Sequence, residues 1–520
     1  MKPLRLPALY LLLITTAQAG IPGKDWTEAS AAELREAYAA GTVNATTVTQ
    51  ALLNRIAAFD DAGPMLNAVV EINPEALAIA KALDEERTAK GLRGPLHGIP
   101  VLLKDNIDTA DRMATTAGSL ALVGIPPAAR DAEVVRRLRA AGAIILGKTN
   151  LSEWANFRST RSSSGWSGRG GQTKNAYAPE RNPCGSSSGS GTAVAASFAP
   201  LAVGTETDGS VVCPSSLAAL VGLKPTLGLV SRRGIIPISA SQDTAGPMAR
   251  SVTDAALLLQ AMAGADPEDR ATAVLAKHPV PDYLAGLKPG ALKGVRIGVL
   301  RKMAGFHEGV DVVFEAALVT LKNAGAVIVD PIALPHQGQY DADEFTVLLY
   351  EFKDGLNRYL ASRKDAPKDL AALIAFNKAH AAEELPYFQQ EIFEQAQAKG
   401  PLTEAAYRKA RARSLRLAGA EGLGAVLKAS KLDALVAPTM GAAWMTDLVN
   451  GDHYLGGTAS SAPAVSGYPH ITVPMGAVQG LPVGLSLIGA PWSEAKLLGY
   501  AYGFEQAAAP RLVPALKPSR

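Results

Sequence analysis

Twice in this chain, apolar residues spaced three to four apart run up to a glycine and pass directly into a short apolar run. Ala132–Ala141 stops at Gly142 and leads into Ala143–Leu146; Val313–Lys322 stops at Gly325 and leads into Ala326–Val329. Three-to-four spacing builds one face of a helix, and glycine is a common helix stop. An unbroken apolar run of four residues suits a strand covered on both faces. Helix-then-strand alternation predicts an α/β domain, a mixed sheet covered by helices. The surrounding sequence agrees. Ala31–Tyr38, Thr46–Ala58 and Pro74–Glu86 read as helices, and Val101–Leu103 as a strand behind the turn-rich stretch Gly94 to Pro100. Ala434–Ala437, His470–Val473 and Val483–Ile488 read as strands returning to the sheet. The recurrences are local and do not form a repeat array. Residues 335–430 are charged and amphipathic, which predicts a helical insertion beside the core. With 520 residues, 48% hydrophobic and 19% charged, the chain can bury a large core as one domain or up to three small ones. Residues 159–191 have the Ser/Gly composition of a linker. Dense apolar sequence, Val194–Ala202, follows at once, so they are read as a loop within a single domain spanning 20–520.

The first residues read as a signal peptide. Lys2 and Arg5 form a basic start, Leu6–Ile14 is apolar apart from Pro7 and Tyr10, and Ala17-Gln18-Ala19 is a small-residue cleavage site. The apolar run is shorter than the roughly 20 residues a membrane-spanning helix needs. Export to the periplasm or medium, with cleavage after Ala19, is the expectation. Lys and Arg number 51 against 48 Asp and Glu, a net charge of +3, and loss of Lys2 and Arg5 leaves +1. So neutral a surface gives no electrostatic reason to expect nucleic acid or an anionic membrane as partner, and no obligate protein partner is implied. Two cysteines, Cys184 and Cys213, are too few for a disulfide scaffold and make no metal-ligand pattern with seven scattered histidines. No metal or organic cofactor is implied.

Two motifs mislead. Gly142 to Thr149 fits the phosphate-loop spacing G-x-x-x-x-G-K-[ST], but that loop must follow a strand, and here a helix precedes and the central residues are themselves a strand. Gly185-Ser186-Ser187-Ser188-Gly189 fits G-x-S-x-G with Ser187 as nucleophile. That elbow needs a strand before it and a histidine downstream, such as His453 or His470, whereas Arg181-Asn182-Pro183-Cys184 is a turn. An esterase built on Ser187 and a histidine is thus one rival; a non-catalytic exported binding protein is another.

Three further segments carry chemistry together. Leu102-Leu103-Lys104-Asp105-Asn106 places a lysine at the end of an apolar strand. Cys184-Gly185-Ser186-Ser187-Ser188-Gly189-Ser190-Gly191 is a Ser/Gly run, and Gly204-Thr205-Glu206-Thr207-Asp208-Gly209-Ser210 leads into Val211-Val212-Cys213-Pro214. In this order they resemble the amidase-signature family. The resemblance extends to Leu96 to Pro100, Gly147 to Asn150, Gly222 to Thr226, Asp243 to Met248, Ala437 to Thr439 and Gly480 to Gly484.

That resemblance implies a serine hydrolase of carboxamides with a Ser–Ser–Lys triad. Ser210 is the nucleophile, Lys104 the base, and Ser186, held on a cis peptide bond, the relay between them. A serine hydroxyl needs a base to take its proton, and lysine serves only when burial lowers its pKa enough to leave it neutral. Oxyanion donors are implied at Thr207, Asp208 and Gly209, with Ser210 itself, and Thr205 and Ser187 support the relay serine from behind. The usual family motif is G-T-D-x-G-G-S-x-R, so Asp208 stands where glycine is usual and Val212 where arginine is common. The nucleophile segment, with Asn150 to Arg158 and Gly165 to Gln172, looks most like bacterial peptide amidase. The implied substrate is therefore a small-molecule or peptide amide, above all the C-terminal amide of a peptide, with release of ammonia; other small amides or esters are the alternative. Trp154, Asn156, Trp166 and Gln172 become candidates for the substrate cleft. Cys184 lies two residues before the relay serine and Cys213 three after the nucleophile, which should bring them near each other.

Overall fold

The computed structural model describes residues 24–518; the expected leader, residues 1–19, lies outside them. One large sheet organises the chain. Its eleven strands are β1 (Val69–Ile72), β2 (Pro100–Lys104), β3 (Ile144–Thr149), β6 (Leu201–Glu206), β7 (Val221–Lys224), β8 (Thr244–Ala249), β9 (Arg296–Val299), β10 (Val327–Val329), β11 (Ala434–Pro438), β12 (His470–Val478) and β13 (Leu481–Ile488). A two-stranded ribbon, β4 (Trp166–Ser167) with β5 (Gly171–Gln172), stands apart. The order across the sheet is β1-β3-β2-β6-β8-β7-β12-β13-β11-β9-β10. Both flanks hold parallel pairs, β3/β2/β6 and β11/β9/β10, and the middle is antiparallel, so the sheet is mixed as expected. Most strands are buried along their whole length, as strands with helices on both faces must be.

Local chemistry sets the helices. α1 (Ala31–Ala39) starts with a capping box in which Ser30 and Glu33 satisfy each other's backbone N–H groups. α2 (Ala45–Phe59) is capped by Asn44, and α3 (Ala76–Lys90) stops at Gly91. α4 (Glu133–Ala140) precedes β3, the first helix-then-strand step. α5 (Ser188–Ala195) begins inside the Ser/Gly stretch, where composition alone predicts loop. The glycines there are demanded by packing: a Cβ on Gly189 would lie 2.2 Å from the carbonyl oxygen of Ala68 and 2.5 Å from that of Asn150. This helix lies directly on the backbone at the ends of β1 and β3, so there is no room for a side chain at Gly189. α6 (Val212–Leu217) is a short helix after the third chemical segment, and α7 (Val252–Met262) and α8 (Glu308–Asn323) cover the sheet.

Residues 335–430 form α9 (Asp341–Ala361), further helices at Leu370–Ala379, Glu391–Gln397 and Ala405–Leu415, and a π-helical turn, Arg416–Leu423. These helices enclose their own apolar cluster, in which Phe352, Leu356, Leu360 and Phe393 pack on Trp154 and Phe157. A fully buried ion pair, Arg158 Nε to Glu153 Oε1 at 3.2 Å, fixes the floor of this junction.

Candidate active site

The three chemical segments converge at the C-terminal ends of the neighbouring strands β2 and β6. Lys104 is the last residue of β2 and is fully buried. Its Nζ donates to Thr205 Oγ1 at 2.9 Å and to the Thr205 carbonyl at 3.2 Å, and lies within hydrogen-bond distance of Ser186 Oγ, 2.7 Å away. Asn106 Nδ2 also donates to Thr205 Oγ1, at 2.9 Å. Burial lowers the Lys104 pKa to about 7, against the opposing charges of Asp243 and Glu206, which raise it. The Gly185–Ser186 peptide is cis. Ser186 and Ser187 are both buried, and the Ser187 N–H donates to the Ser210 carbonyl at 3.2 Å. Cys184 and Cys213 are joined in a disulfide, which ties the Gly185–Ser186 segment to the helix that follows Ser210.

The turn between β6 and α6 is shaped from within. Glu206 is buried and its Oε2 accepts the N–H groups of Val211 at 2.7 Å and Val212 at 3.0 Å. Asp243 Oδ1 accepts from Thr207 Oγ1 at 2.6 Å, and its Oδ2 from the N–H groups of Ile238 at 2.9 Å and Ser239 at 2.8 Å. Burial raises the Asp243 pKa to about 6, and burial likewise raises those of Glu206 and Asp208. Gly209 has φ of 78°, the left-handed conformation that glycine adopts freely. The N–H groups of Thr207, Asp208, Gly209 and Ser210 find no acceptor among the described residues, and neither does Ser210 Oγ a partner. The turn thus offers a run of free donors beside a free hydroxyl. Ser210 is 8% exposed.

A cavity of about 260 Å³ opens against this turn, with Asn156, Gly185, Asp208, Gly209, Trp444 and Ser461 among its walls. A larger one, about 520 Å³, lies on the other side of the network. It is joined through Arg232, Ile235 and Asp243 to a neck of about 10 Å³ that touches Asn106 and Thr205. Its five arginines are all paired with neighbouring carboxylates.

Of the four expected cleft residues, Asn156 alone lines the cleft. Trp154 is buried in the apolar cluster under α9, edge-on to Phe393 at 5.9 Å. Trp166 is buried against Phe388 and the Arg158 guanidinium. Gln172 spends its amide on the carbonyls of Ser164 and Thr173. The two tryptophans are packing residues, because the insertion's helices cover that side of the segment, and Gln172 braces the loop around its own ribbon. Ser187 is no nucleophile elbow: its Oγ donates to the Thr205 carbonyl at 3.1 Å and accepts the Thr205 N–H at 3.2 Å. No histidine is bonded to it among the described residues; His470 is engaged with Ser486 and His453 with the Gly451 carbonyl. The phosphate-loop look-alike is strand β3, and Lys148 is buried on the Ile107 carbonyl and Thr115.

Glu206, Asp243 and Asn106 join the site without having been expected there. Glu206 occupies the aspartate position of the usual motif, which is the one signal that could have found it. The contacts of Asp243 and Asn106 depend on strand order and leave no local trace. Among the described residues there is no cluster of His, Cys, Asp and Glu able to hold a metal ion, and no helix long and apolar enough to cross a membrane.

A mixed sheet that delivers a buried, pKa-lowered lysine to paired Ser/Gly segments beside a turn of free amides defines a hydrolase acting on amide C–N bonds. Comparison with known proteins agrees: residues 47–498 match the model of the Amidase family. The chain belongs to the amidase family, the amidase-signature enzymes. It is 54% identical to native peptide amidase from Stenotrophomonas maltophilia, whose crystal structure superposes with a TM-score of 0.90 over 94% of this chain and 99% of that one. The crystal structure of an amidase family protein from Bacillus anthracis, 39% identical, superposes with a TM-score of 0.85 over 94% of this chain and 92% of that one. An Arabidopsis thaliana protein described as a probable amidase is 40% identical over 497 residues, 94% of this chain and 91% of the relative.

Proposed function

We propose that this chain is an exported peptide amidase that hydrolyses the C-terminal carboxamide of peptides through an acyl-enzyme on Ser210. The observation that carries the mechanism is the hydrogen-bond set of Lys104. A neutral amine has two N–H donors and one lone pair. Thr205 supplies two acceptors, its carbonyl and an Oγ1 that also receives Asn106, at 3.2 and 2.9 Å from Nζ. With both N–H groups so occupied, the lone pair is directed at Ser186 Oγ, 2.7 Å away. Ser186 can then pass its proton to Lys104 while receiving that of Ser210, which attacks the carboxamide carbon. The developing oxyanion is taken by the free N–H groups of the Thr207–Ser210 turn, where a single donor is worth about 2.7–4 kcal/mol. The proton returns through Ser186 to the leaving nitrogen, the C–N bond breaks, and ammonia departs. A water then uses the same relay to attack the ester carbonyl and free Ser210, by general acid–base catalysis in both directions.

The substrate class is supported by the 54% identity to peptide amidase over nearly the whole chain. Export is supported by the leader-like residues 1–19 and by the Cys184–Cys213 bond, since disulfides persist in oxidising compartments. N-terminal sequencing of the mature protein, with Gly20 first, checks the export claim. The activity is tested with a matched pair: a blocked dipeptide C-terminal amide, and the same dipeptide acid carrying an internal glutamine. Ammonia from the first alone is expected. Ammonia from neither, with Ser210 still labelled by a serine-directed phosphonate, would move the substrate to another amide or ester class.

A further inference from the structure

Through the loop at residues 239–243 the helical insertion reaches the turn that carries Ser210. Two glutamates of α9, Glu344 and Glu351, stand about two helical turns apart and so share one face of the helix. Glu351 Oε2 accepts from the Ser239 hydroxyl at 2.6 Å and from the Ser241 N–H at 2.9 Å, and its Oε1 from the Tyr407 hydroxyl at 2.6 Å. Glu344 Oε1 accepts from Gln242 Nε2 at 2.8 Å. The same Nε2 donates to the Thr207 carbonyl at 3.2 Å. Gln242 and Glu344 are both buried. No backbone N–H of a turn or loop donates to that carbonyl among the described residues. Asp243, next in the chain, takes the Thr207 hydroxyl. Thr207 is therefore clamped at two atoms by consecutive residues of one loop.

The clamp controls the next N–H. The Thr207–Asp208 peptide is trans. In a planar trans peptide the carbonyl and the N–H point in opposite directions, so fixing one aims the other. The N–H of this peptide is that of Asp208, one of the free donors of the turn. We infer that Gln242 is a positioning residue for the reaction: by holding the Thr207 carbonyl it aims the Asp208 N–H at the oxyanion, and Glu344 of the insertion holds Gln242 in place. Gln242 is not among the walls of the 260 Å³ cleft, so it acts through the turn. An amide suits this task because one NH₂ group serves two acceptors at once, which a hydroxyl does not. Oxyanion donors accelerate the reaction only when they are already aimed at the charge that develops. This gives the insertion a part in catalysis besides its packing on Trp154. The inference rests on the reading of Ser210 as nucleophile and of its turn as the oxyanion site.

The test follows two reactions of Ser210. One is ammonia release from a blocked dipeptide amide. The other is labelling by a serine-directed phosphonate, which also builds negative charge on an oxygen at the reacting centre. Removing one oxyanion donor costs roughly 10²–10³-fold in kcat. Gln242→Met keeps the length of the side chain and loses both N–H donors. Its kcat and its labelling rate should each fall at least about tenfold, with KM within about twofold of wild type. Glu344→Leu should show the same split between kcat and KM, and Glu344→Gln, which keeps an acceptor for Gln242, should recover most of what Glu344→Leu loses. The double variant Gln242→Met/Glu344→Leu strands no buried carboxylate, so it decides the matter even where Gln242→Met alone does not fold. Its kcat should match that of Gln242→Met, because the two residues act through one chain. A labelling rate within about twofold of wild type in the double variant, or a loss confined to KM, overturns the inference. If wild type is labelled but releases no ammonia, the peptide-amide reading alone fails, and the labelling rates still uphold or overturn the role of Gln242. Labelling that survives Ser210→Ala sinks the nucleophile reading and this inference with it.

Discussion

If Lys104 is the base, the pH dependence of turnover should report its burial. Its pKa is lowered to about 7 by desolvation. At pH 6 roughly a tenth of the molecules would then hold neutral Lys104, and at pH 8 roughly nine-tenths, whereas an ordinary lysine near 10.4 would be well under 1% neutral at pH 8. The expected profile of kcat/KM is therefore a rise of about tenfold from pH 6 to 8 and a plateau above it. An unshifted lysine predicts about a hundredfold rise over the same interval with no plateau. Asp243 and Glu206 favour the protonated form. Asp243→Asn removes one of these charges, so the acid limb should move to lower pH. Stability gives a second readout with its own sign. Between pH 7 and 10 the unfolded chain keeps the proton that the folded chain has lost, so folding is increasingly favoured as pH rises through that window. Relative to Lys104→Met, which has nothing to titrate there, the wild type should gain about 1.4 kcal/mol per pH unit from pH 7 to 10 and nothing below it. The assays are initial rates of ammonia release at low substrate from pH 5.5 to 9.5, and denaturant unfolding of both proteins across the same range. An activity limb above pH 9, or a stability difference flat across that window, would refute a neutral Lys104 and with it the base.

Ser187→Ala should lower stability by about 1–3 kcal/mol, since it strips a buried donor and acceptor from the Thr205 backbone, yet leave Ser210 open to phosphonate labelling, which Ser210→Ala should abolish. Gly209→Ala places a Cβ at φ of 78° and 3.0 Å from Ser460 Oγ; the left-handed conformation alone costs about 1–2 kcal/mol, and kcat should drop at least about tenfold as the donor turn shifts, measured beside the melting temperature. Reducing the Cys184–Cys213 bond, which spans 29 residues, should remove about 3–4 kcal/mol of stability on the chain-entropy account; an unchanged unfolding midpoint in reductant would show that the bond contributes nothing.

The sequence by itself determined the local terms. Helices with capping residues and three-to-four spacing, such as Ala31–Ala39 and Glu308–Asn323, and the apolar strands Pro100–Lys104 and Ile144–Thr149 were legible because their signals lie within a few residues. Spacing and resemblance also paired the segments of Lys104 and Ser186, whose side chains meet at 2.7 Å. Strands such as Thr244–Ala249 were not legible. Buried on both faces and built of small residues with an internal glycine and proline, they show neither alternation nor β-branched enrichment. The Ser/Gly run reads as linker by composition, yet becomes a buried helix because only small side chains let α5 lie on the ends of β1 and β3. Tertiary structure alone decided the rest. The order of β2 beside β6 sets Thr205 against Lys104, so that burial and two acceptors, not the lysine's own chemistry, determine whether it is a base. The folding of α9 and its neighbours over Trp154 turned an expected cleft residue into core. Burial and strand order are contacts between residues far apart in the chain, and no local pattern encodes them.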